Sequence, residues 1–417
     1  MRDGYGTTMT ALHGSRLLAF AGLLVAGLLL TGAGAGAVTP ASPAADPPEG
    51  PGAVLTLTDT PNQATPGGVT RRTYTQAEVD VASAVSVGAA RVGGRHAELT
   101  LDERLERAGS PSARLGVVTD ALAGIERRFD RLGDRQRQLL TAYSEDETTT
   151  RTFLRRLGTV RVAATQERAL LNRLGERAEG SARLSLPVGT QTQVARLRGT
   201  LIALPNPVID RVIAGMTGAE GPRTVYLEAA NDGLVAATVD DGTYRRQATL
   251  HADRSPGEPN QFGSVTVAYE RAGELYPWVF ESAIGSPSLS GFGNASVYLI
   301  EASHPQGDLR AYLDGATRDV FHETQANAPE TVPVALTRTA ATDRLRVQVN
   351  ATHSTGPMWV TVTRPGDGTT PVDATVHIDG QRVGTTGSDG RLLTVQPAGS
   401  FRVNATSGAA NVTLSGP

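Results

Sequence analysis

Thr224-Val-Tyr-Leu-Glu-Ala-Ala-Asn-Asp-Gly-Leu-Val-Ala-Ala-Thr-Val239 decides the fold class, because the chain changes its period there. Two extended runs, 224–228 and 234–239, flank Asn231-Asp-Gly233, residues that accept the positive φ of a tight hairpin turn. Gly242–Leu250 follows as a third strand. Before this stretch apolar residues recur every three and four positions; after it they mostly alternate. A multidomain α+β chain is expected. It has an N-terminal antiparallel helical bundle or coiled-coil hairpin, a central α+β domain with an antiparallel sheet and one helix, and a C-terminal all-β sandwich.

Towards the N terminus the clearest helix carries a heptad seam: Leu115, Val118, Leu122, Ile125, Phe129, Leu132, Leu139 and Tyr143, interrupted at Gln136. Ser110-Pro111 supplies its N-cap and a first-turn proline, and Ser144–Thr148 is a polar turn. A second run, Phe153, Leu157, Val160, Ala164, Leu171, Leu174 and Ala178, follows. An earlier helix from Thr75 towards Ala108 has its seam at Ala82, Val85, Ala89, Val92 and Leu99, with a break expected at Gly93-Gly94. The bundle is assigned to 74–182. Residues 183–222 read as a connector with two short helices, Val194–Leu204, stopped by Pro205 and Pro207, and Val208–Met216.

The segment 38–73, rich in Pro, Gly, Ala and Thr, reads as an extended linker with a short strand at Ala53–Thr58. Ahead of it, Arg16 precedes an apolar run from Leu17 to Leu30 that ends in Ala33-Gly-Ala-Gly-Ala37. Charge, apolar core and small-residue tail are the order of a secretory signal peptide over 1–37, with processing expected after Ala37. An uncleaved signal anchor is the alternative, since the apolar character runs on to Val38. An extracellular or cell-surface location is expected in either case.

Towards the C terminus, Phe262–Ile284 reads as one helix kinked near Pro277. Strands Ser296–Ala302 and Asp308–Leu313 follow, and Asp314-Gly-Ala-Thr317 turns into Val320–Thr324, which completes a domain at 223–328. Residues 331–417 alternate throughout, beginning with Val332–Thr337, Arg344–Asn350 and Met358–Thr363. The last part, 358–417, is expected to fold alone around Val376, Ile378, Leu393, Val395, Phe401 and Val403.

Gly307-Asp-Leu-Arg-Ala-Tyr-Leu-Asp-Gly-Ala-Thr-Arg-Asp-Val-Phe321 resembles the closing hairpin of PepSY-type domains, with Arg318 where that pattern has glycine. Asp379-Gly380, the Thr386–Gly390 turn, Leu392–Val395 and Pro397-Ala-Gly-Ser-Phe401 resemble the transthyretin-like carboxypeptidase regulatory-like β-sandwich, which implies a spacer or adhesive module. The 75–326 portion as a whole resembles exported proteins of halophilic archaea that pair a helical part with such a domain. The PepSY resemblance implies a regulatory or inhibitory action on an exported peptidase.

The chain has no cysteine, so packing alone must hold an exported fold together. All 39 basic residues are arginine, and the net charge of −3 argues against a nucleic-acid binder. His13, His96, His251, His304, His322, His353 and His377 show no metal-ligand spacing. Gly285–Gly291 is serine-rich but lacks a nucleophile elbow and reads as a loop. Glu270 and Glu274 read as an exposed helix face, and Asp379 and Asp389 as turn residues. No catalytic, cofactor-binding or metal-binding residue is therefore assigned, and no enzyme is expected. The one chemical signal that clusters is a set of sequons at Asn294, Asn350, Asn404 and Asn411, candidates for N-glycosylation. The expectation is a non-enzymatic protein of the cell surface or envelope with a structural or adhesive role. Its partners would be envelope components or an exported peptidase, and it would meet a membrane only through an uncleaved N-terminal segment.

Overall fold

The computed structural model describes residues 52–179, 186–203, 206–366 and 368–417 of the 417-residue chain. The leader expected at 1–37 lies outside these residues. Among those described, no helix is long and apolar enough to cross a membrane.

The segment expected as a linker is folded from residue 52 onwards. Strands β1 (Ala53–Leu55) and β2 (Gln63–Thr65) form an antiparallel hairpin, and Thr60, Asn62, Gln63, Ala64 and Thr65 are buried. The composition reads as a linker because these side chains are small or polar. Here they find polar partners inside the protein: Asn62 Oδ1 accepts from Leu57 N at 3.0 Å, and its Nδ2 donates to the Leu275 carbonyl at 2.7 Å. Strand β3 (Arg71–Ala77) follows, where a helix was expected from Thr75. Its β-prone Thr-Tyr-Thr core pairs with a strand about 150 residues away, a partner that local periodicity cannot show.

Helices then occupy the N-terminal half: α1 (Val81–Arg107), α2 (Pro111–Ser144), α3 (Thr150–Glu179), α4 (Val188–Leu201) and α5 (Pro207–Thr217). Asp80 and Ser110 cap α1 and α2 by accepting from the amides of Ser83 and Ala113. Gly93-Gly94 does not break α1. Any side chain at Gly94 would collide with Gln166 of α3, so the glycine permits a close crossing that outweighs its poor helix propensity. The seam read for α1 points outward: its buried residues are Ser83, Val87 and Leu101. Leu122 is buried as expected, but Phe129 is only half-buried. The supposed connector belongs to the core. Leu197 and Leu201 of α4 pack with Leu122, Ile125 and Leu171, and α5 buries Val208, Ile209, Val212 and Ile213 against the central sheet.

That sheet adds β4 (Arg223–Ala229), β5 (Gly233–Asp240) and β6 (Thr243–Leu250). Helices α6 (Val265–Leu275) and α7 (Pro277–Ser282) come next, two helices separated at Pro277 rather than one from Phe262. Strands β7 (Ser288–Phe292), β8 (Val297–His304), β9 (Gly307–Asp314) and β10 (Val320–Asn327) complete eight antiparallel strands in the order β3-β4-β5-β6-β10-β9-β8-β7. The serine-rich stretch read as a loop supplies β7, because Leu289 pairs with Ile300 and joins the same core. Arg318, in the turn before β10, has φ +66°, the left-handed conformation that glycine takes most readily.

The remaining strands form two four-stranded sheets: β11 (Leu336–Ala341), β12 (Arg346–Ala351), β13 (Pro357–Thr363), β14 (Thr375–Ile378), β15 (Gln381–Thr385), β16 (Arg391–Val395), β17 (Arg402–Ser407) and β18 (Ala410–Ser415). Their orders are β11-β12-β13-β16 and β15-β14-β17-β18, face to face around one core. Val376, Ile378, Val395, Phe401 and Val403 are buried, whereas Leu393 pairs with Trp359 on the outer phase and leaves the inner one to Leu392. The sandwich is not self-contained. Tyr74, Tyr226 and Tyr244 of the eight-stranded sheet share its core, and their hydroxyls bond to Val395 O, Ala398 N and Thr355 O.

Candidate functional site

The period-2 alternation of β6 places Tyr244, Arg246, Ala248 and Leu250 on one face of the central sheet. One part of that face is covered by the sandwich and another by α6 and α7. Arg246 lies at the seam between the covers, with no exposed surface. Its Nη1 donates to Glu323 Oε1 of β10 at 2.9 Å, and Glu323 is equally buried. Its Nη2 donates to the Ala64 carbonyl at 2.8 Å, and its Nε to Thr355 Oγ1 at 3.1 Å. Glu323 Oε2 accepts from Tyr276 OH at 2.6 Å and from Ala64 N at 2.9 Å, and Oε1 accepts from Gln325 Nε2 at 3.1 Å.

Four parts of the chain thus meet at one ion pair: the β1–β2 hairpin, the central sheet, the junction of α6 with α7, and the β12–β13 turn of the sandwich. Burial raises the Glu323 pKa, with Arg246 pulling the other way, and burial drives the Tyr276 phenol well above its ordinary range. Burying both charges is costly, and this one is offset by near-complete hydrogen bonding. These bonds join the β1–β2 hairpin, the sheet, the α6–α7 junction and the sandwich, so the arrangement can hold these elements together. Such a cluster is weakly legible in sequence: it shows as a charge on the apolar phase of a strand.

The opposite face of the sheet carries an open trough of about 500 Å³, lined among others by Arg245, Glu301, Ser303, Asp308, Arg310 and Thr324. Glu301 and Arg310 pair at 2.9 Å, and Ser303 Oγ donates to Asp308 at 2.6 Å. A separate acidic position stands at Asp253, 5% exposed, whose pKa burial pushes up to about 7 with help from Asp319 and Asp232. Among the described residues no group of three or more His, Cys, Asp or Glu is placed to hold a metal. Glu270 and Glu274 are exposed on α6. Asp379 and Asp389 accept from the amides of Arg402 and Arg391.

The sequons do not gather into one site. Asn294 is exposed on a short 3-10 turn and Asn411 is exposed on β18. Asn350 accepts from Thr337 and Gln348, and Asn404 donates to Thr413. The last two sequons lie side by side, since Asn404 pairs across with Thr413 and Asn411 with Thr406.

Three family models match. The archaeal fibronectin-III type-like domain matches residues 336–414, the sandwich. A family of unknown function, DUF7094, matches residues 225–333, from β4 to just beyond β10. A domain of unknown function, DUF7096, matches residues 13–221. PepSY-type and carboxypeptidase regulatory-like domains are not among these matches. No curated protein and no solved structure matches the chain. The DUF7096 and DUF7094 segments share one sheet, because β3 pairs with β4 along its whole length. With half its length covered by that model, the chain belongs to the family of the domain of unknown function DUF7096.

Proposed function

We propose that this chain is a non-enzymatic, exported protein of the cell surface, with a structural or adhesive role. The observation that carries the reading is the sealed Arg246–Glu323 cluster. This buried polar cluster ties the parts of the fold together, with both charges shielded from solvent. A fibronectin-III type-like module at 336–414 supports it, as do the exposed sequons at Asn294 and Asn411. In this reading 1–37 is a signal peptide or anchor, α1 to α4 form a helical bundle, and the sandwich is a spacer. No cofactor or metal takes part. Cell fractionation with protease treatment of intact cells tests location, and the intact mass of the recovered chain reports processing after Ala37 and glycosylation. A full-length, unmodified chain confined to the cytosol would sink the proposal.

A second reading, a regulatory or inhibitory module for an exported peptidase, draws on the outer edge of β7. This strand ends the sheet, bears no charged residue and borders the polar trough. An extended peptide pairs readily with such an edge. Rates of secreted peptidases that do not change on adding the purified chain would exclude it.

A further inference from the structure

Helix α1 has apolar residues on two sides. One side, with Val87 and Leu101, is buried within the protein. The other consists of Ala82, Val85, Ala89, Val92, His96, Leu99 and Glu103, every one exposed. Val85 is 67%, Val92 71% and Leu99 53% exposed. The spacing between them is three, four, three, four, three, four, an unbroken heptad seam. Solvent imposes no such period. A 3.5-residue repeat is what a partner helix in a left-handed pair requires.

Steric matching identifies the partner and its direction. In a parallel pair of α1 helices each seam residue meets its own copy. Alanine would face alanine, His96 would face His96, and Glu103 would face Glu103, leaving holes and like charges. In the antiparallel pair centred between Ala89 and Val92, Ala82 faces Leu99 of the other copy, Val85 faces His96, and Ala89 faces Val92. Each small residue then meets a larger one, and Glu103 falls outside the contact. The flanking positions nearest the centre are Ser86, Gly88, Gly93 and Arg95, and the small residues among them let the backbones approach closely. Among the described residues nothing lies within 4 Å of where a Cβ on Gly88 or Gly93 would stand. Antiparallel pairing also brings Arg104, which pairs with Asp120 in its own chain, and Arg107, which pairs there with Glu103, towards Glu78 and Asp80 of the other copy, with Glu103 opposite Glu78.

We propose that the outward seam of α1 is a self-association surface, on which a second copy of this chain docks its own α1 antiparallel to form a two-fold dimer. The contact is isologous, as the sequence of one helix satisfies both sides of it.

The full chain is suited to the test. Sedimentation of the full chain, in a mild detergent that keeps the Leu17–Leu30 run from associating, should show a monomer–dimer equilibrium. Leu99→Glu and Val92→Glu should each weaken it at least tenfold. Both residues are exposed in the monomer, so thermal unfolding should hardly change. Because the chain has no cysteine, direction can be read by introduced thiols. Ala82→Cys protein mixed with Leu99→Cys protein should form an inter-chain disulfide. Ala82→Cys alone should not, since the two copies of that position lie roughly 25 Å apart along the pair at 1.5 Å per residue. A chain that stays monomeric, a dimer indifferent to Leu99→Glu, or cross-linking of Ala82→Cys with itself would each overturn the proposal.

Discussion

Arg246 and Glu323 show how much one buried pair can be asked to do. Removing a single partner leaves the other charge without water or counter-charge, so Glu323→Ala should cost about 3–5 kcal/mol. Arg246→Met together with Glu323→Leu should recover part of that loss, because the charge desolvation is removed while Tyr276 OH and the Ala64 amide and carbonyl lose their partners. Denaturant midpoints of the two single variants and the double variant check this, and additive losses would refute it. Asp253 behaves in the opposite sense. Its carboxyl titrates near 3.8 when unfolded and about 7 in the fold, so the folded state holds the proton longer. Stability from this group falls as pH rises through that window. Asp253→Asn should therefore stabilise the protein by up to about 4 kcal/mol at pH 8, with the gain vanishing below pH 4. A pH-independent difference in melting temperature would show that the carboxyl is not shielded.

At the scale of elements, α2 was legible in the sequence because its apolar phase meets neighbours on one side and its cap is local. Helix α1 was legible in period but not in direction. It carries two apolar phases, and a seam does not state which neighbour it serves. The strand expected at Ala53–Thr58 covers β1, but β3 and β2 were hidden for a different reason: β3 pairs with a strand distant in sequence, and polar side chains such as Asn62 and Gln63 are satisfied only after the chain has closed. The sandwich strands were legible through alternation and turn residues. Its dependence on Tyr74, Tyr226 and Tyr244 was not, because a tyrosine on a strand face looks the same whether it meets water or another module. The dependence predicts that Tyr244→Phe, which removes the bond to Thr355 O at 2.6 Å, should cost about 1 kcal/mol. Fragment 331–417 should expose the apolar surface that these rings cover. Strong binding of a hydrophobic dye by the fragment, and weak binding by the full chain, is the expected contrast. Equal binding would return the sandwich to the status of a free-standing domain.

For the molecule as a whole, acid should find its way in at the N-terminal hairpin. Desolvation holds His251, His304 and His353 at about 4, against 6.5 for an ordinary imidazole. Between these values the unfolded chain takes up protons that the fold refuses, so each group supports the fold at neutral pH and loses that support as pH falls from 6.5 to 4. Asp253 works against them with one proton across the same range, and the three imidazoles outweigh it, which leaves a net loss on acidification. Two of the three imidazoles serve the same element. His304 Nδ1 accepts from the Gln306 amide at 3.3 Å, and Gln306 in turn binds Thr60 and the Asp59 carbonyl. His353 lies 3.5 Å from Gln63 Nε2. Protonating either ring disturbs the polar frame around residues 59–65 before it reaches the helices or the sandwich. Hydrogen exchange followed from pH 7.5 to 5 should therefore show the Ala64 amide, held by Glu323 at 2.9 Å, losing protection ahead of amides in β4 and β12. His304→Gln, which cannot titrate, should reduce that early loss. Uniform loss across all three regions would mean that acid unfolds the protein in one step, and that the hairpin is no weaker than the sheet it covers.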